Sequence, residues 1–168
     1  MTRFAIIDIE TTGIQFKQGK ITEIAILIYQ NGQIVDQFES LINPETSIPF
    51  EITRITGITN EMVEQAPKFY EVAKKILEIT HDAIFVAHNV QFDYSFVKEE
   101  FSALGYSFSR KKLCTVQLSR KHFPGLKSYA LGNLIKHFNI EVTDRHRAYQ
   151  DALATSKLFH LILHANDH

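Results

Sequence analysis

The run Phe4-Ala5-Ile6-Ile7-Asp8-Ile9 constrains this chain more than any other segment. It is apolar on successive residues, where a half-exposed strand would alternate. A strand of this kind has to be covered on both faces, which layers of helix on either side of a sheet achieve. Ala83-Ile84-Phe85-Val86-Ala87 is a second run of the same type. Ile21 to Tyr29 is mostly β-branched or aliphatic and predicts another strand. Asn31-Gly32 is a hairpin signal, so Gln33 to Ile42 is expected to return antiparallel to it. Leu113-Cys114-Thr115-Val116 reads as a brief fifth strand. Helical spacing covers Tyr70 to Ile79, and Phe96, Val97, Phe101 and Leu104 form an apolar stripe. Ser128 is a plausible cap for a helix through Phe138. Ala148 to Leu163 is amphipathic. Pro44 and Pro49 punctuate a loop that continues through Thr56-Gly57. Three strands followed by alternating helix and strand predict an α/β domain with a mixed sheet.

At 168 residues the chain is expected to form one domain, residues 1–168. No apolar run approaches about 18 residues, so no membrane span and no membrane partner are expected. Met1-Thr2-Arg3-Phe4 runs straight into the first strand without the pattern of a signal peptide. A single cysteine, Cys114, allows no internal disulfide and fits a cytoplasmic location. Lys and Arg number 18 against 19 Asp and Glu, for a net charge of −1. Proteins that hold a long duplex by its phosphates usually carry a basic excess. A nucleic-acid enzyme of this composition should grip a short stretch, helped by metal ions.

Three constellations carry chemistry. In Asp8-Ile9-Glu10 the carboxylates are two apart on a strand, so both side chains point to one face. A strand fraying into an exposed turn would account for that pair alone, but Thr11-Thr12-Gly13 follow at once. They supply hydroxyls, backbone donors and a glycine free to turn with φ > 0. His88-Asn89-Val90-Gln91-Phe92-Asp93 follows a strand and opens a helix. His88 there could be a structural histidine and Phe92 a core residue. Asp93, however, lies just past a strand's C-terminal end, where α/β sites concentrate. His146 and Asp151 lie at the start of the last helix, whose Ala148, Ala152 and Ala154 permit close packing. Four converging carboxylates would repel one another and resist ionisation without cations. Hard oxygen ligands point to Mg²⁺ or Mn²⁺. Two such ions, about 3.5–4 Å apart, suit in-line phosphoryl transfer to water. A histidine then suits the general base.

In these motifs the chain resembles the DEDDh 3'→5' exonucleases, most closely the proofreading epsilon subunits of bacterial DNA polymerase III. Asp-x-Glu-Thr-Thr-Gly stands at Asp8–Gly13, His-Asn-x-x-Phe-Asp at His88–Asp93, and His-x4-Asp at His146–Asp151, in order across nearly the whole chain. The resemblance implies a ribonuclease H-like fold, a five-stranded mixed sheet flanked by helices. It implies that Asp8, Glu10, Asp93 and Asp151 bind two Mg²⁺ or Mn²⁺ and that His146 is the general base. Thr11, with Thr12 and Gly13, would line the pocket of the terminal nucleotide. Glu51 and the turn Ile55-Thr56-Gly57-Ile58 would contact its base and sugar, although the epsilon proteins commonly carry His where Thr56 stands. His88, Asn89 and Phe92 would belong to the substrate side of the second motif. The sister class places a Tyr four residues before the last Asp; that position is Arg147.

The expected activity is release of nucleoside monophosphates from single-stranded DNA 3' ends, in proofreading or repair. Two other readings stand beside it. Exoribonucleases of the same fold share the five catalytic residues. A non-catalytic nucleic-acid binding module is the third reading, but it would be expected to have lost a ligand or the base. The polymerase-binding tail of the epsilon proteins is missing after the last helix. The expectation is therefore either a free-standing enzyme or a domain of a longer chain, with association to a polymerase open. His160, His164 and His168 on the last helix read as a solvated helix end, and Arg110-Lys111-Lys112 as a solvated turn. Lys127-Ser128-Tyr129 precedes a helix and could meet a phosphate.

Overall fold

A computed structural model describes residues 1–143 and 145–165. Five strands form one mixed sheet. They are β1 (Arg3–Thr11), β2 (Ile21–Gln30), β3 (Gln33–Leu41), β4 (Ala83–Ala87) and β5 (Lys112–Cys114). Their order across the sheet is β3-β2-β1-β4-β5. β1 is central, antiparallel to β2 and parallel to β4, so the C-terminal ends of β1 and β4 emerge on the same side. β2 and β3 form the expected hairpin across Asn31-Gly32, both with positive φ. The ribonuclease H-like expectation holds.

Both faces of β1 are covered, as its unbroken apolar run requires. Ala5, Ile7 and Ile9 pack with Ile24, Ile26 and Ile28 of β2 against α3 (Phe69–Ile79) and α4 (Val90–Ala103). On the other face Ile6, Ala25, Leu27 and Val86 meet α7 (Ala148–Leu163) through Ala148, Ala152 and Phe159. The side chains at Ala25, Ala148 and Ala152 are small enough to let α7 lie close on the sheet. Phe159 is fully buried, with its ring 4.9 Å from Phe4 and 5.6 Å from Tyr29, edge to face. Phe159→Ala should therefore cost about 3–5 kcal/mol. Urea denaturation of variant and wild type checks this; an unchanged midpoint would mean that α7 is not held by this contact.

Four expectations are corrected. The segment read as a loop from Pro44 through Thr56-Gly57 contains α1 (Phe50–Thr56), and an unpredicted α2 (Asn60–Glu64) follows it; both helices are too short to show a periodic stripe. Their punctuation was present in the sequence. Gly57 ends α1 at φ 76, and the Thr59 hydroxyl caps α2 by accepting from Met62 N–H. β5 ends at Cys114, because Thr115 and Val116 begin α5 (Thr115–His122). In α6 (Leu131–His137) the cap position is Ala130; the Ser128 hydroxyl accepts from Ala130 N–H and from the Asn133 side chain instead. Arg110-Lys111-Lys112 is no free turn. Arg110 donates to the carbonyls of Thr80, Leu77 and Ser109 and lies over Phe108, while Lys112 covers the Tyr94 ring.

Candidate active site

Asp8 and Glu10 share the β1 face covered by α7, and α7 delivers Asp151 from its first turn. One carboxylate oxygen from each of the three lies within 4.8 Å of the others. Asp93 comes from the opposite face, in the first turn of α4. It is 4% exposed, and its Oδ2 accepts the Ile9 N–H at 3.1 Å, between the two β1 acids. The four acids named by the motifs therefore converge, with Asp93 tied to the backbone beside the other three.

This arrangement is electrostatically costly without cations. Burial, and then repulsion from Asp93, Glu10, Asp151 and Glu23, pushes the Asp8 carboxyl well above the usual carboxylate range. Glu10 is pushed up to about 8 by burial and by Asp151, Glu23 and Asp93, with Arg145 opposing. Burial also raises Asp93 against the amide of Ile9, and raises Asp151 against Arg145 and the His146 amide. Asp8 Oδ2 is enclosed with no hydrogen-bond partner among the described residues. A buried carboxylate oxygen without a donor is rare and calls for an ion. Oxygen-only donors of this kind fit a hard divalent cation.

The raised value at Glu10 gives a signed prediction. Between 4.5 and about 8 the folded chain binds this proton more tightly than the unfolded chain does. The resulting stability is present at low pH and lost as pH rises to about 8. In a chelating buffer, wild type should lose stability relative to Glu10→Gln across that interval, and Mg²⁺ should narrow the gap. Urea titrations at stepped pH measure it; a difference independent of pH would contradict the geometry.

His146 does not begin the last helix. Arg147 occupies the N-cap and α7 starts at Ala148, so His146 lies in the preceding turn, exposed, with φ 70. Its amide donates to the Asp151 carboxylate, and its ring is close enough to act on that charge. Arg145 Nε lies 2.9 Å from Asp151 Oδ1. Arg147 stands where the sister class has Tyr and is committed to Glu23.

The residues expected on the substrate side divide into two sets. Glu51, Ile55 and Asn89 are exposed, Ile55 at 57%. An open groove of about 410 Å³ runs from Thr12, Gly13 and Ile14 to Thr46, Ser47 and Pro49. Gly13 has no positive φ, and a Cβ there would meet nothing within 4 Å, so the protein's own backbone and packing do not require glycine at this position. The remaining residues are buried or half-buried and make contacts within the protein. Thr11 is buried and donates to the Gly13 carbonyl. Thr12 closes the loop on Lys20 through its amide at 2.8 Å and its hydroxyl at 3.0 Å. Thr56 turns inward, donating to Ile52 O and accepting from Ile58 N–H. Phe92 packs on Phe96, ring centroids 4.9 Å apart. His88 has both ring nitrogens engaged, by the Thr115 hydroxyl and the Tyr129 carbonyl, each at 2.7 Å. Burial lowers its affinity for a proton, which suits Nε2–H donation to that carbonyl.

Glu23 was missed in the sequence, although a glutamate inside an otherwise apolar strand was signal enough that a partner waited for it. Of the three histidines on the last helix, His160 is engaged by the Tyr29 hydroxyl at 2.7 Å and packs on His164. His168 lies outside the described residues. Among the described residues no helix is long and apolar enough to cross a membrane.

A family model for exonucleases, RNase_T, matches residues 5–159. The chain is 43% identical over 163 residues to the 3'-5' exonuclease DinG of Bacillus subtilis, covering 96% of this chain and 18% of that protein. It is 41% identical over 156 residues to the PolC-type DNA polymerase III of Caldanaerobacter subterraneus, covering 93% of this chain and 11% of the polymerase. It thus spans less than a fifth of either relative. Among solved structures, exonuclease X in complex with 5' overhanging duplex DNA superimposes with a TM-score of 0.79 at 28% identity, covering 100% of this chain and 94% of that one. A zinc-bound complex of Escherichia coli exonuclease I with single-stranded DNA shares the fold, with a TM-score of 0.87 at 18% identity, covering 99% of this chain and 42% of that one. With three acidic motifs converging on one end of the sheet and the family match running through nearly all of it, the chain belongs to the RNase_T family of exonucleases.

Proposed function

We propose that this chain is a 3'→5' exonuclease domain that removes nucleoside monophosphates from single-stranded DNA ends, within the cytoplasm, in proofreading or repair. The observation that carries the reading is the set Asp8, Glu10 and Asp151, with Asp8 Oδ2 buried and unpartnered and the His146 turn beside it. The names of the DinG and PolC relatives and the DNA-bound structural neighbours support polarity and substrate.

Asp8, Glu10, Asp93 and Asp151 would hold two Mg²⁺ or Mn²⁺, which when bound supply Lewis-acid activation of water and neutralise charge on the leaving oxygen. The protein's own groups do the rest. His146 takes the proton of the attacking water. Gly13 leaves open space in the turn after β1, and the terminal base would lie toward Ile55, which is 57% exposed. An overall charge of −1, without a basic excess, and a groove of this size suit a short footprint. Its place in a longer chain, such as one with a polymerase, accords with the fraction of its relatives that it spans.

The test uses linear and closed-circular single strands of DNA and of RNA with Mg²⁺. The linear DNA should shorten in single-nucleotide steps while the circle stays intact and RNA reacts more slowly. Faster loss of RNA would make the domain an exoribonuclease, and nicking of the circle would defeat the exonuclease reading altogether.

A further inference from the structure

Glu23 and Arg147 lie outside the motif residues, although Glu23 adds to the repulsion on Asp8 and Glu10. Glu23 stands on β2 directly opposite Glu10, on the α7 face, and is 7% exposed. Its carboxylate accepts from Arg147 Nη2 at 2.7 Å, from Arg147 Nε at 3.1 Å and from Ala148 N–H at 2.9 Å. A buried charge persists only where its lone pairs are satisfied. Here all of these donors come from one place, the residue that caps α7 and the first residue of that helix. The residue before them is His146, held at φ 70, a conformation that costs a residue with a side chain and persists only where its surroundings enforce it. Two attachments flank it. On one side the His146 amide and Arg145 are bound to Asp151. On the other Arg147 and Ala148 are bound to Glu23.

We propose that the Glu23–Arg147 pair is a positioning device for His146, fixing the turn that presents its imidazole to the carboxylate cluster without either residue touching the substrate. The proposal rests on the reading of His146 as the base. A planar guanidinium gripping one carboxylate through two nitrogens sets orientation as well as distance, which a lysine would not.

The experiment is a double-mutant cycle on the intact domain. Rates, KM, Mn²⁺ affinity by calorimetry and melting temperature are measured for Arg147→Ala, Arg147→Lys and His146→Ala, and for the Arg147→Ala/His146→Ala double variant. A base displaced by roughly an ångström costs on the order of 10²-fold. Arg147→Ala should therefore lose about that factor in kcat, with KM and Mn²⁺ affinity little changed, and Arg147→Lys should fall between it and wild type. In the His146→Ala background the same change should cost nothing more, because the group that it positions is gone. A purely structural or metal-tuning role predicts the same further loss in both backgrounds, and that result would overturn the proposal. So would wild-type kcat in Arg147→Ala. Should that variant fail to fold, Glu23→Gln, which keeps the volume and an acceptor for Ala148 N–H, takes its place in the cycle. If His146→Ala alone retains full rate, the assignment of the base fails, and this inference falls with it.

Discussion

His146→Ala is expected to lower kcat by about 10²–10⁴-fold, the usual cost of removing a general base, while Mn²⁺ affinity stays nearly intact. In the proposed mechanism cation binding would fall to Asp8, Glu10 and Asp151, whose oxygens lie within 4.8 Å of one another, together with Asp93. His146 contributes its amide to Asp151, and alanine keeps that amide. The imidazole is exposed and therefore accessible to a water near the cluster. Asp151→Ala should behave differently, losing metal and rate together. Calorimetric Mn²⁺ titrations run beside cleavage assays separate the two. If His146→Ala loses metal as badly as Asp151→Ala, the histidine is a ligand and the assignment of the base is wrong.

Asp8→Asn is expected to abolish activity and yet stabilise the metal-free protein. Asp8 is enclosed, meets repulsion from four other acids, and has an oxygen with no donor among the described residues. Removing its charge relieves that repulsion and so should raise the melting temperature in EDTA. The same change removes a proposed ligand, so the rise in melting temperature that Mn²⁺ would give the wild type by mass action should disappear. Opposite signs for stability and function are what a strained site predicts. Wild-type activity should likewise vanish in excess EDTA and return with Mg²⁺ or Mn²⁺. Full activity in EDTA, or an Asp8→Asn variant that still gains stability from Mn²⁺, would contradict the metal site.

What could be read from the sequence follows the strength of each local signal. β1, β4 and the β2–β3 hairpin announced themselves through unbroken apolar runs and an Asn-Gly turn, and α7 through its period. The motif acids were legible because Asp8-Ile9-Glu10, which alone could be a strand fraying into an exposed turn, runs straight into Thr11-Thr12-Gly13 and is followed in order by the motifs that end in Asp93 and Asp151. α1 and α2 were not legible from periodicity, since helices of 7 and 5 residues make too few turns to show a stripe. Thr115 and Val116 are β-branched and favour a strand, but packing assigned them to α5. The position of Gly13 relative to φ, the inward turn of Thr56 and the engagement of both His88 nitrogens depend on contacts between distant segments. No pattern in one segment encodes them. Glu23 lies between these cases, since its need for a partner was legible and the identity of Arg147 was not.

The central claim is tested most directly by one strand labelled in two ways. A linear single-stranded DNA carries the label at its 5' end in one reaction and at its 3' end in the other, with Mg²⁺ and the wild-type chain. Digestion from the 3' end predicts a descending single-nucleotide ladder from the 5' label and immediate release of the 3' label as a mononucleotide. Immediate mononucleotide release from the 5' label, with a ladder from the 3' label, would reverse the polarity and contradict the account.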